Sequence, residues 1–401
     1  MESRVLIEIP TEEMEEEQME LRTVFETIDE LNGQYTDVWA DICRIESPTS
    51  DKAGVDAVVG YVAAHARARG WRVDIEPQEV SGDVLTVTVN ADSGEAPLTL
   101  SAHLDTVHPV GSFGEDPVRI EGERIYGPGV TDCKGGAVAA LLAMDALMRC
   151  EYEKRPVRLI LQTDEEKGSL PSGRATIRHI CESSKGSVAF LNLEGQQKGT
   201  ACIARKGILN LIFHVRGIAA HSSACATEGA NAILEAAHKI IEMEKLKDDA
   251  GLTCNCGVVC GGTVSNTVAE DCTVCANVRF ADGEQLAYVR EYARRVAEEV
   301  HVPGCSCELI EERLRIAMED VEQNHVLLDR LNALFEESGM PVLQGMKRNG
   351  GSDAAEVTDY GIPCLDSLGV QGGKIHSTEE YALLSSLAEA AKRIAVAAYG
   401  L

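Results

Sequence analysis

Four short runs, at 84–89, 98–102, 157–163 and 188–193, are almost continuously apolar. A strand with one wet face alternates apolar and polar residues; unbroken runs of this length belong to strands buried on both faces. Helical patterns precede and separate them, at 55–69 (closed by Gly70), 135–150 and 172–182. Strands alternating with helices predict an α/β fold, with a sheet covered by helices on both sides. Aromatic residues are only 4% of the chain, so Ala, Val, Leu and Ile must build that core.

The pattern changes near residue 200. The segment 207–215 alternates like a half-exposed strand, 231–243 is helical, 258–264 and 272–280 read as strands, and 284–299 as a helix. Strand, helix, two strands, helix, strand describes a small α+β domain. We place it at 203–312, inserted between the two parts of an α/β domain at 1–202 and 313–401. A length of 401 residues suits this division. The acidic stretch 12–20 reads as a frayed helical or disordered lead-in, with a helical pattern beginning at Leu21.

Lys and Arg number 37 against 65 Asp and Glu, giving 37 − 65 = −28. Nucleic acid and anionic membrane surfaces need clustered positive charge, so neither is expected as a partner. No apolar run is long enough to span a bilayer, and the acidic start lacks the pattern of a secretory signal. Fourteen cysteines are sparse in a chain of this length and read as reduced thiols in a cytoplasm.

The residues suited to chemistry stand at the ends of the apolar runs. His103 and Asp105, in Ser101-Ala102-His103-Leu104-Asp105, follow the second run, where ligands collect in open α/β sheets. Residues two apart project alike from extended backbone, so Asp105 can fix the tautomer of His103. Asp132 lies in the Gly-rich loop Gly127-Pro128-Gly129-Val130-Thr131-Asp132-Cys133-Lys134-Gly135-Gly136, where backbone can approach a ligand closely. Glu165 and Glu166 end the third run and point different ways, so one can hold a metal while the other moves a proton. Glu194 ends the fourth, and His376 precedes Ser377-Thr378-Glu379-Glu380, which reads as a helix cap. Each motif alone is ordinary. Together they offer the mixed nitrogen and oxygen donors that suit zinc or a similar first-row divalent ion.

In this order the motifs resemble the M20 family of metallopeptidases and deacylases, from about Trp39 to the C-terminus. The resemblance implies a mixed-sheet α/β catalytic domain with a zinc-peptidase-like core and an inserted α+β lid that carries a homodimer contact. It implies two divalent ions, zinc first with cobalt or manganese possible, bridged by Asp132. His103 and Glu194 would complete one site, Glu166 and His376 the other. Glu165 would be the general base for a metal-bridging hydroxide, and Asp105 would orient His103. In the lid, His221 (Gly217-Ile218-Ala219-Ala220-His221) and Asn266 (Gly261-Gly262-Thr263-Val264-Ser265-Asn266) would bind substrate. Arg348, before Asn349-Gly350-Gly351-Ser352-Asp353, would grip a substrate carboxylate. The implied reaction is exopeptidase cleavage of a small peptide, carboxypeptidase-like, with N-acyl amino-acid deacylation as the alternative. A non-catalytic binding protein on the same fold would lack a ligand or the base, and none is missing. Two features depart from the family pattern: Cys133 follows the bridging aspartate, where methionine is usual, and Gly195 follows Glu194, where proline is usual. A cis peptide is implied at Asp132–Cys133.

Two thiol readings compete with this one. Cys254, Cys256, Cys260, Cys272 and Cys275 could form a zinc knot, but their apolar strand setting favours small buried hydrophobes. Cys133 as a nucleophile sits among carboxylates that would raise its pKa.

Overall fold

The structure is a computed structural model that describes residues 12–248 and 251–401, with side chains from Gln18 onward. It divides into two compact units.

The first unit comprises 12–203, Val321–Met346 and Val357–Leu401. Its centre is a six-stranded mixed sheet in the order Arg72–Glu76, Val84–Val89, Val157–Gln162, Leu98–His103, Ala189–Asn192, Cys364–Leu365. The last four strands run parallel; the first two join antiparallel at one edge. Val84–Val89 and Leu98–His103 are buried at every position, the burial their unbroken apolar sequences demand. The register opposes His103 to Gln162 and Ser101 to Asn192. The chain segments after three parallel strands therefore leave the sheet at one edge, carrying His103, Glu165–Glu166 and Glu194.

The helix Lys134–Arg149 packs beneath this edge, with nearly every residue buried. Its first turn needs glycine. A Cβ at Gly136 would stand 2.0 Å from the Leu193 carbonyl oxygen, and one at Gly135 would stand 2.4 Å from that of Val130. The Gly-Gly pair thus brings the Asp132 loop against the strand leading to Glu194. The peptide bond Asp132–Cys133 is cis, as the resemblance implied.

Of the two expected alternatives for the acidic stretch 12–20, the helical one holds: it opens a single helix, Glu12–Arg44. Leu21, Val24, Ile28, Leu31, Tyr35, Val38 and Trp39 form its buried stripe, and this spacing of three and four is what holds a helix on a core. A polar cluster ties it down. Asp145 accepts hydrogen bonds from Tyr35 Oη (2.8 Å), Arg69 Nε (2.9 Å) and Arg149 Nε (2.9 Å). His65 Nε2 lies 3.3 Å from Tyr35 Oη. Burial, with the charge of Arg69, pushes His65 down to about 4, against about 6.5 when unfolded. The folded chain then binds fewer protons than the unfolded one between those values. The stability present above pH 6.5 is lost as the pH falls towards 4. Urea midpoints at pH 7 and pH 5 should drop less for His65→Gln than for wild type; equal drops would exclude His65 as the cause.

A small second sheet borders the site, in the order Gly372–Gly373, Tyr381–Leu383, Arg124–Tyr126, Arg119–Glu121. Here the sequence reading needs correction. Residues after His376 form no helix: a turn closes with the Glu380 N–H donating to Ser377 O, and the strand Tyr381–Leu383 follows at once. The next helix is Ser385–Gly400.

The second unit comprises Ala204–Asp320 without 249–250, together with Lys347–Glu356. Its antiparallel sheet runs Thr253–Gly261, Asp271–Phe280, Gly207–Arg216, Ser306–Arg315. Two helices, Ala232–Met243 and Gly283–Glu298, contribute to its apolar core. The expected boundary at 312 falls inside Ser306–Arg315, which pairs with the neighbouring strand through Arg315. The Arg348 loop also belongs to this unit, because Lys206 N donates to Arg348 O and Arg315 pairs with Asp353 at 2.9 Å. The strand expected at 258–264 ends at Gly261, where Gly262 turns to φ +73°. Among the described residues no helix is long and apolar enough to cross a membrane.

Candidate metal centre

The first unit gathers His103, Asp132, Glu166, Glu194 and His376 at one point, although 273 residues separate the first from the last. The bonding around Asp132 is two-sided. Its Oδ1 lies 3.1 Å from His103 Nε2, which is also 3.6 Å from Glu194 Oε1. Its Oδ2 lies 3.2 Å from His376 Nε2, which is also 3.3 Å from Glu166 Oε2. One carboxylate thus stands between two histidine–glutamate pairs. His376 occupies a tight turn in which it and Lys374 both take left-handed φ values, +62° and +56°, of the kind that cluster at functional sites.

Asp105 is fully buried beneath this group and spreads its oxygens over several partners. Its Oδ2 accepts from Thr49 Oγ1 (2.7 Å) and Glu166 N (3.2 Å), and its Oδ1 from Glu165 N (3.2 Å). His103 Nδ1 stands 2.9 Å from the Asp105 carbonyl oxygen and 3.4 Å from Oδ1. A carbonyl can only accept, so Nδ1 carries hydrogen and Nε2 is the atom turned towards Asp132. Glu165 is nearly buried on the same turn, and its charge acts on both Glu166 and Glu194. Asp164, next to it, accepts from Thr176 Oγ1 (2.6 Å) and Ser172 N (3.1 Å), fixing the base of the turn.

The electrostatics describe a cluster short of positive charge. Burial pushes Glu166 up to about 7, against the pull of His376. Burial and the charge of Asp132 push Glu194 far above the usual carboxyl range. Burial opposes ionisation of Asp132 too, yet the hydrogen bonds from His103 and His376 hold it well below that range. Hydrogen bonds to Asp132 and Glu166 raise His376 to about 10. His103 is raised despite burial, by Asp105 and Asp132. Buried acids at hydrogen-bond spacing, each facing an imidazole nitrogen, are a donor set that divalent cations would neutralise. The residues fit a divalent ion on chemistry, and on spacing His103 shares one group with Asp132 and Glu166 and another with Cys133 and Glu194.

Cys133 also reaches the group, with its thiol bonded to Leu193 O at 3.1 Å. Burial and Glu194 push that thiol far above its usual value, which leaves it protonated and poorly nucleophilic. Among the described residues, both groups with ligand atoms close enough to share an ion contain His103, and neither includes a cysteine of the second unit.

His221, Asn266 and Arg348 lie in the second unit. His221 and Asn266 are exposed on adjoining segments, joined where Ser222 N donates to Asn266 O at 2.9 Å. The Ser223 N–H donates to His221 Nδ1, which leaves Nε2 as the nitrogen that carries the hydrogen. Sequence reasoning missed Thr49, Lys134 and Glu380, all buried around the centre. Lys134, beside the Gly-Gly pair, donates to Ile42 O and Ile45 O and so fastens the Asp132 loop to the end of the first helix.

Residues 99–399 match the model of peptidase family M20/M25/M40. Carboxypeptidase G2 of Pseudomonas sp. (strain RS-16) is 30% identical over 355 residues, 86% of this chain and 84% of that protein. A succinyl-diaminopimelate desuccinylase of Gluconobacter oxydans is 25% identical over 189 residues, 45% of this chain and 49% of that one. Among solved structures, aminopeptidase PepT of Bacillus cereus superposes with a TM-score of 0.76 at 21% identity, over 92% of this chain and 98% of that one. With a family match across three quarters of its length, the chain belongs to the M20 peptidase family and is a metal-dependent hydrolase.

Proposed function

We propose that this protein is a dinuclear exopeptidase of the carboxypeptidase type, acting on small peptides. The observation that carries the reading is the two-sided bonding of Asp132, whose oxygens each face a different histidine–glutamate pair. His103 and Glu194 would hold one ion, His376 and Glu166 the other, with Asp132 between them. Zinc suits the donors best, with cobalt or manganese as substitutes. Two such ions, when bound, polarise a scissile carbonyl and acidify water.

The chain's own residues supply the rest. Asp105 holds His103 in the tautomer that presents Nε2, and by binding the Glu165 and Glu166 N–H groups it sets base and ligand from one anchor. Glu165 takes the proton of the attacking water and passes it to the leaving amine. His221 Nε2–H and Asn266 bind the substrate carbonyl oxygen, and Arg348 binds the free carboxylate of the product residue.

A homodimer through the second unit belongs to the same reading. The edge strand Thr253–Gly261 leaves Val258 and Val259 each 58% exposed, and the neighbouring helix leaves Ile233, Leu234 and Ile241 exposed. An apolar sheet edge of this kind is a pairing surface. A cytoplasmic setting is supported by fourteen cysteines that stand as free thiols.

The similarity to a desuccinylase favours N-acyl amino-acid hydrolysis as a second reading. Steady-state assays with added zinc or cobalt, comparing dipeptides and N-acyl dipeptides with N-acetyl and N-succinyl amino acids, decide between them. The expected result is a kcat/KM at least about tenfold higher on the peptide bond; a reversed order replaces exopeptidase by deacylase.

A further inference from the structure

We infer that Glu380 is a positioning residue that sets the distance between the two ion sites by clamping the Asp132 loop to the His376 turn; the inference rests on the dinuclear reading above. Glu380 lies four residues after His376, and its side chain is only 1% exposed. Its Oε1 accepts from Thr131 N at 2.9 Å and from Asp132 N at 3.1 Å. Its Oε2 accepts from Gly129 N at 3.3 Å and lies 3.4 Å from His108 Nε2. The backbone continues the clamp: Gly127 N donates to Glu380 O, Thr131 Oγ1 donates to Tyr381 O at 2.7 Å, and Tyr126 pairs with Tyr381 in the small sheet.

These contacts give the residue a task beyond filling space. A buried carboxylate is costly unless donors surround it, and this one stands in an already acidic neighbourhood. Its four partners are donors, three of them consecutive or near-consecutive backbone N–H groups of the loop that presents Asp132. Buried Lys134 interacts with it through charge. A glutamine of the same shape could not replace it. An amide has one accepting oxygen, and its NH2 would confront either Thr131 and Asp132 N–H or Gly129 N–H. Aspartate would be a methylene too short to reach. Either change removes the side-chain part of the clamp and leaves only the backbone contacts, so the bridge loosens while all five ligands remain. A supporting partner of this kind carries about 10–100-fold in metal affinity.

The test is a cobalt(II) titration of the chelator-treated chain, followed by visible absorption. Wild type should bind two ions. Glu380→Gln should bind at least one of them about 10–100-fold more weakly, with an altered d–d spectrum, while its metal-free far-UV circular dichroism matches wild type. Should Glu380→Gln not fold, His108→Phe removes a single donor to Oε2 and should weaken binding by about fivefold. A wild-type chain that takes up no cobalt overturns the centre itself. Two ions bound with wild-type affinity and spectrum in Glu380→Gln, or in His108→Phe where that variant decides, overturn the role of Glu380 alone.

Discussion

Asp132→Asn should cut tight cobalt(II) binding from two ions to at most one and lower hydrolysis by more than about 100-fold, beyond the loss expected for a supporting residue. The reason lies in the geometry of one carboxylate. Both Asp132 oxygens are committed, Oδ1 to His103 and Oδ2 to His376, and an amide can present only one of them as an acceptor. Charge adds to this. On the dinuclear reading proposed above, Asp132, Glu166 and Glu194 would set three negative charges against two divalent ions, leaving about one positive charge for the attacking water to offset. Without it two carboxylates must balance four positive charges. The substitution should leave the fold in place, because the Asp132 loop is held through backbone atoms by Glu380 and through Lys134 by the first helix. Metal-free melting temperatures, compared with the cobalt stoichiometry of each form, separate a lost bridge from a lost fold. Two tightly bound ions in Asp132→Asn would remove the bridging role.

Four of the five candidate ligands, and Glu165, stand at places that one-dimensional patterns mark. His103, Glu165–Glu166 and Glu194 end apolar runs buried on both faces, and Asp132 sits among glycines before an apolar helix. Their order along the chain then matched a family. What stayed hidden depends on neighbours far away in sequence. Arg72–Glu76 pairs at the sheet edge and is largely exposed, so it has no apolar run to mark it. Ser377-Thr378-Glu379-Glu380 has the composition of a helix cap, but Glu380 spends its carboxylate on N–H groups about 250 residues away rather than on its own turn. Lys134 and Thr49 are silent for the same reason: each bonds across the fold, to Ile42, Ile45 and Asp105. The second unit runs past 312 because Ser306–Arg315, although rich in charge, pairs along the sheet through Arg315 and packs Cys307, Leu309 and Leu314 on that unit's core.

Glu165→Gln should bind two cobalt ions as wild type does and lose about 10²–10⁴-fold in kcat, with KM nearly unchanged. Glu165 and Glu166 are adjacent and share Asp105 as the acceptor of their N–H groups. Glu166 Oε2 reaches the histidine that also faces Asp132, so Glu166→Gln should weaken one ion and lose activity through that loss. Glu165 keeps its turn through the backbone bond from its N–H to Asp105, which the amide does not touch, so the variant should hold its ions and lose proton transfer. The pair of variants therefore tests the division of labour within two neighbouring residues. Cobalt titration with turnover on a peptide substrate reads both. If Glu165→Gln loses an ion while Glu166→Gln keeps both ions and loses kcat, the two glutamates exchange roles. If Glu165→Gln turns over at the wild-type rate, proton transfer must run through another group near the centre, and Asp105, already committed to four partners, is poorly placed to supply it.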